Sequence, residues 1–75
     1  MSDNVLHPSH YTQGKVECID AIEAAISTTE DAVDAYLTGQ IIKYIWRWPH
    51  KNGLEDLRKA RWYLDRLIYH LSGQA

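Results

Sequence analysis

The run from Val33 to Trp48 limits what this chain can become more than any other feature. Val33, Leu37, Ile41, Tyr44, Ile45 and Trp48 recur at three- and four-residue steps, the period of a helix. A second apolar strip, Ala35, Ile42 and Trp46, lies well round the same helix, with Tyr36, Gln40, Lys43 and Arg47 between the two. A helix apolar on two sides is normally buried on both. In a chain of 75 residues, one side can meet the chain's own core and the other a partner subunit. A single core of this size supplies only ~3–5 kcal/mol. Cys18 is the sole cysteine, so no intrachain disulfide adds to it. Self-association is the expected staple, and residues 1–75 read as one helical domain that forms a homo-oligomer.

The rest of the chain fits around that helix. Residues 1–15 hold Pro8 and Gly14 among polar residues without periodicity, and read as an arm preceding a helical core over 16–72. Val16, Ile19, Ile22 and Ile26 predict a first helix, with Glu17, Asp20 and Glu23 along its other face. Ser27-Thr28-Thr29 interrupts it. Thr28 or Thr29 can cap a second helix running from about Glu30 to Trp46 or Arg47, with Glu30 and Asp31 in its first turn. Gly39 inside that helix costs roughly 1 kcal/mol relative to Ala, and either permits a close helix approach or bends the helix. Pro49 stops it, because the residue before a proline disfavours the α region. Asn52 and Glu55 have capping-box spacing ahead of a third helix, whose stripe is Leu57, Ala60, Leu64, Leu67 and Leu71, widened by Ile68. The expected fold is all-α: an N-terminal arm plus three helices, the second and third as an antiparallel hairpin.

Charge is divided unevenly. Residues 1–39 carry seven acids and one base (Lys15), whereas residues 40–75 carry seven bases and three acids, for a formal net charge of −2. A duplex-DNA binder shows a stronger basic excess, so duplex nucleic acid is not the expected partner. No apolar run approaches the ~20 residues of a membrane span, and the first residues lack a signal-peptide layout. The lone thiol fits a reducing compartment, and the expectation is a cytosolic protein without a membrane partner.

Three constellations can carry chemistry. His7, His10 and Tyr11 offer a hydrogen-bonding and stacking edge that either closes over a ligand or packs a neighbouring subunit. His-x-x-His supplies only two metal ligands, and no spacing links it to Cys18, His50 or His70, so no metal site is expected. Lys43 and Arg47 are four residues apart on one helix face. Arg47 can grip a phosphate bidentately while Lys43 or Lys51 adds charge, and Tyr44 or Trp46 can stack on a base. Glu55 and Asp56 suit the start of a helix, and Lys59 lies four residues beyond Glu55 as a surface pair. An acid here can instead bind a ribose hydroxyl or a metal, or position Lys59 towards phosphate. No phosphate-binding glycine loop or catalytic triad order is present, and no catalytic residue is assigned.

Taken together, His7-Pro8-Ser9-His10-Tyr11, Gly14, Glu17-Cys18-Ile19-Asp20-Ala21-Ile22, Gly39 to Arg47, Lys51 to Ala60 and Trp62-Tyr63-Leu64 resemble the small bacteriophage nucleotide-kinase-like family. The resemblance spans nearly all of residues 7–68. It implies a homo-oligomeric phage protein acting on nucleotides in the cytoplasm of the infected bacterial host. Matching positions point to His10, Tyr11, Glu17, Asp20, Lys43, Tyr44, Arg47, Lys51, Glu55, Asp56 and Lys59. Phosphoryl transfer needs donor and acceptor sites in line, whereas capture needs only a basic pocket with an aromatic edge. The expected function is capture of a phosphorylated nucleotide at a subunit interface. By analogy with other small phage proteins, the ligand can be a cyclic nucleotide immune signal, sequestered as an anti-defence measure. The alternative is a nucleotide kinase acting on a nucleoside monophosphate. No cofactor is expected for capture, and Mg2+ only for the kinase.

Overall fold

A computed structural model of the chain describes residues 12–13 and 16–73. The elements are two short strands, β1 (Thr12–Gln13) and β2 (Val16–Glu17), then helices α1 (Cys18–Ile26), α2 (Ala32–Arg47) and α3 (Leu54–Leu71). A 3-10 turn, Trp48–His50, follows α2. Three helices in the expected order dominate the fold.

The start of α1 differs from expectation. Val16 and Glu17 are extended, pairing antiparallel with Gln13 and Thr12, and the helix begins at Cys18. The apolar spacing from Val16 to Ile26 fits a helix throughout, but β-branched Val16 is equally at home in a strand. A small hairpin thus occupies part of the expected arm, and the fold is mostly rather than wholly helical.

The second helix also starts later than the sequence suggested. Its cap is Asp31, not Thr28 or Thr29: Asp31 Oδ1 accepts from the amides of Val33 at 2.8 Å and Asp34 at 3.1 Å. A carboxylate two or three residues from free amides satisfies donors that a more distant threonine cannot reach. The Asp34 amide above all holds the Asp31 carboxyl below its usual range, against desolvation, with Val33 and His70 adding to the effect. Ser27 closes α1 through its hydroxyl, which donates to the Ala24 carbonyl at 2.8 Å.

The second and third helices form the antiparallel hairpin. Arg47, ending α2, meets Asp56 in the first turn of α3, while His70, near the end of α3, meets Asp34 at the start of α2. Between helices, Gly53 adopts φ +53°, a left-handed conformation that favours glycine, and donates to the Trp48 carbonyl at 3.0 Å. The first helix crosses α2 at Gly39, where an added Cβ would stand 3.3 Å from Ile22 Cγ2. Of the two roles open to Gly39, the structure supports close approach.

Burial is thin. Among the described residues the buried apolar side chains are Cys18, Leu37 and Ala60. The stripe of α2 is buried at Leu37 but exposed at Val33, Ile45 and Trp48, and that of α3 is exposed at Leu64, Ile68 and Leu71.

The Gly39 contact yields a stability test. Gly39→Val is expected to destabilise the chain by ~1–3 kcal/mol in urea unfolding, because the Ile22 side chain must move to admit the new one. A valine variant as stable as wild type would show that α1 and α2 do not depend on this approach.

Candidate functional site

The turn end of the hairpin gathers most of the chain's singled-out residues. The last turns of α2 supply Lys43, Tyr44 and Arg47, and the first turns of α3 supply Glu55, Asp56, Lys59 and Tyr63. These α3 positions are three and four residues apart, so one helix face carries Asp56, Lys59 and Tyr63 towards α2.

Asp56 is the centre of this end. Its side chain has no solvent exposure, and Arg47 approaches it with two nitrogens, Nε to Oδ2 at 3.1 Å and Nη2 to Oδ1 at 3.2 Å. Asn52 donates to the same carboxylate twice, through its backbone amide and its side-chain amide, each at 3.3 Å. Burial alone would push the Asp56 carboxyl up. The donors from Arg47 and Asn52, with the guanidinium charge, outweigh burial and hold it below the usual carboxylate range. This replaces the expected Asn52–Glu55 capping box. The residue capping α3 is Gly53, and the acid reaching back to the Asn52 amide is Asp56. Gly53 shifts the helix start by one residue and turns Asp56, not Glu55, inwards.

Three cations surround one ring. Lys43 Nζ lies 4.7 Å, Arg47 Cζ 4.9 Å and Lys59 Nζ 5.6 Å from the Tyr44 centroid. The Tyr44 ring also stacks on Tyr63 at 5.8 Å and 14°. Tyr63 in turn meets Tyr36 and Trp62 edge-on. Each such contact is worth ~0.5–1.5 kcal/mol beyond area burial. Tyr36, and after it burial, pushes the Tyr63 phenol up, so the ring stays neutral. Among the described residues, Lys59 has Glu55 as ion-pair partner at 3.6 Å, and Lys43 has no carboxylate partner.

The remaining singled-out residues divide. Lys51 is exposed in the turn, and Trp46 is half-buried, roughly 200° round the helix from Tyr44. Glu17 precedes α1 and Asp20 lies exposed in its first turn. Cys18 between them is buried, which pushes its thiol up, while the nearby Lys43 ammonium pulls it partly back. His7, His10 and Tyr11 lie outside the described residues. A groove of about 260 Å3 opens between α1 and α2, with Ile22, Ile26 and Ala35 on its apolar wall and Tyr36, Gln40 and Lys43 as its polar contributors. Tyr36, Gln40 and Tyr63 were not among the expected site residues. For Tyr63 the spacing from Asp56 and Lys59 was the available signal.

The buried pair predicts a specific mutational pattern. Arg47→Ala leaves the buried Asp56 carboxylate without its counter-charge, and Asp56→Ala removes the acceptor shared by Arg47 and Asn52; each should cost ~3–5 kcal/mol, close to the whole stability of such a domain. The double change to apolar residues of similar volume, Arg47→Met with Asp56→Leu, should be closer to wild type than either single variant in thermal unfolding. Because the folded Asp56 pKa lies below its unfolded value, its contribution is fully present above about pH 4 and is lost as pH falls further. Urea titrations between neutral and acid pH should show that loss in wild type.

A family model described as a protein of unknown function (DUF3310) matches residues 5–65. No curated protein matches the chain, and no solved structure matches it. The matched span takes in the cation cluster, the Arg47–Asp56 pair and the groove. Since it covers more than half of the sequence, the chain belongs to the DUF3310 family.

Proposed function

We propose that the chain captures a phosphorylated nucleotide, with the phosphate held at Lys43 and Lys59 and the base seated in the groove between α1 and α2. The observation that carries this reading is the position of Lys43, which belongs both to the cations around Tyr44 and to the groove. The groove pairs an apolar floor with few polar groups, as small-ligand sites do. Gln40 can read a base edge, and Tyr36, well exposed, can stack on the base.

The roles differ from a simple basic patch. Arg47 already directs two nitrogens at Asp56, so Lys43 and Lys59 are the cations better suited to meet a phosphate. Tyr44 already stacks on Tyr63, and it serves the site best by gathering the cations rather than by stacking on the base. Exposed apolar residues such as Trp62, Ile68 and Leu71 favour a homo-oligomer, in which a neighbouring subunit completes the pocket. Among the described residues no helix is long and apolar enough to cross a membrane. The resemblance of the sequence supports a phage protein in the host cytoplasm and a cyclic nucleotide immune signal as the ligand class.

Calorimetry against mononucleotides, cyclic dinucleotides and ADP-ribose, followed by chromatography of the recovered ligand, tests this. One ligand class should bind and be recovered intact, and Lys43→Ala should weaken it roughly tenfold or more, the worth of a charge-assisted hydrogen bond. Absence of binding even at millimolar ligand would overturn the proposal. Phosphate transfer between a triphosphate and a monophosphate would replace it with the kinase reading. Arg47→Ala is a poor probe, since it also unpairs Asp56.

A further inference from the structure

We infer that Asp31, Asp34 and His70, at the open end of the hairpin, form a binding site for a borderline first-row divalent cation, Zn2+ foremost. One donor atom from each residue lies within 4.8 Å of the others. His70 Nε2 stands 3.5 Å from Asp31 Oδ1 and 3.4 Å from Asp34 Oδ1. Those separations are long for hydrogen bonds. They are close to the ~3.3–3.4 Å between ligand atoms held ~2.0–2.1 Å from Zn2+ at tetrahedral corners.

A second observation points the same way. Asp34 Oδ1 is sealed from solvent and accepts no hydrogen bond. A buried carboxylate oxygen without a donor is costly, and an ion is one of the few things that removes the cost. Among the described residues, neither Asp31 nor Asp34 pairs with a lysine or arginine, so the group brings together two carboxylates that a dication matches. Asp31 Oδ1, the oxygen 3.5 Å from His70 Nε2, also caps α2, so the same carboxylate joins the helix start to the cluster. One imidazole with two carboxylates suits Zn2+ better than Mg2+ or Ca2+, which take mostly oxygen ligands and more of them. Asp31 is exposed, leaving solvent access for a fourth ligand.

Asp34 lies nine positions before Lys43 on α2, or ~14 Å along its axis, while Ala35 and Tyr36 next to it line the near end of the groove. An ion here ties the start of α2 to the end of α3 and adds its binding free energy to folding.

The full chain, stripped with chelator and titrated with Zn2+, should bind one ion per chain and melt at a higher temperature, with no comparable shift from Mg2+ or Ca2+. Asp34→Asn and His70→Gln should each weaken binding roughly tenfold or more, while His50→Gln leaves it unchanged. Absence of Zn2+ binding, or binding undiminished in both variants, would overturn the assignment. Imidazole NMR of the wild-type chain guards against a variant that fails to fold. The His70 ring signals should shift with the first equivalent of Zn2+, and a His70 ring unmoved by Zn2+ would also overturn it.

Discussion

The Arg47–Asp56 pair is the interaction on which the rest of the hairpin depends. It joins the last turn of one helix to the first turn of the next across a short connection, and Asn52 adds two donors from the turn itself. With every oxygen of Asp56 engaged, a charge is tolerated at a position with no solvent contact. Its geometry also sets the register of α2 against α3, so Lys59 and Tyr63 arrive opposite Tyr44. The aromatic stack and the cations around it follow from the placement of one carboxylate.

That arrangement matters because apolar burial contributes so little. Cys18, Leu37 and Ala60 are small or medium side chains, while several large ones, Trp62 and Leu71 among them, stay more than half exposed. A chain built this way relies on directional contacts inside and apolar contacts outside. Polar pairing specifies how the helices meet, while apolar side chains of α2 and α3 such as Ile45, Ile68 and Leu71 stay exposed.

Much of the hairpin was legible in sequence. Steps of three and four from Val33 to Trp48 and from Leu57 to Leu71 dictate two helices, and Pro49 with Gly53 dictates the break between them. Cap positions were not legible to the residue, because threonine, aspartate and asparagine compete over short distances. Asp31 prevailed over Thr29 through reach, and Asp56 displaced Glu55 because Gly53 starts the helix one position later than Asn52 would. Lys43, Arg47 and Lys59 were singled out from residue type and spacing, and they do converge on one ring. The engagement of Arg47 with Asp56 was hidden, since a basic residue looks the same in sequence whether it faces solvent or a buried acid. The trio at the other end was beyond sequence reasoning for a different reason. His70 lies far along the chain from Asp31 and Asp34, and only the antiparallel closure brings them together.

The buried thiol of Cys18 gives the fold a built-in gauge of its own opening. It sits at the start of α1, 4% exposed, with its pKa raised by burial. Thiol reagents attack the thiolate, so a protonated and enclosed sulfur reacts only when the packing around the start of α1 opens. The rate of labelling at this single cysteine therefore measures how often that end of α1 comes free. Anything that steadies α1 would slow that rate without touching the sulfur.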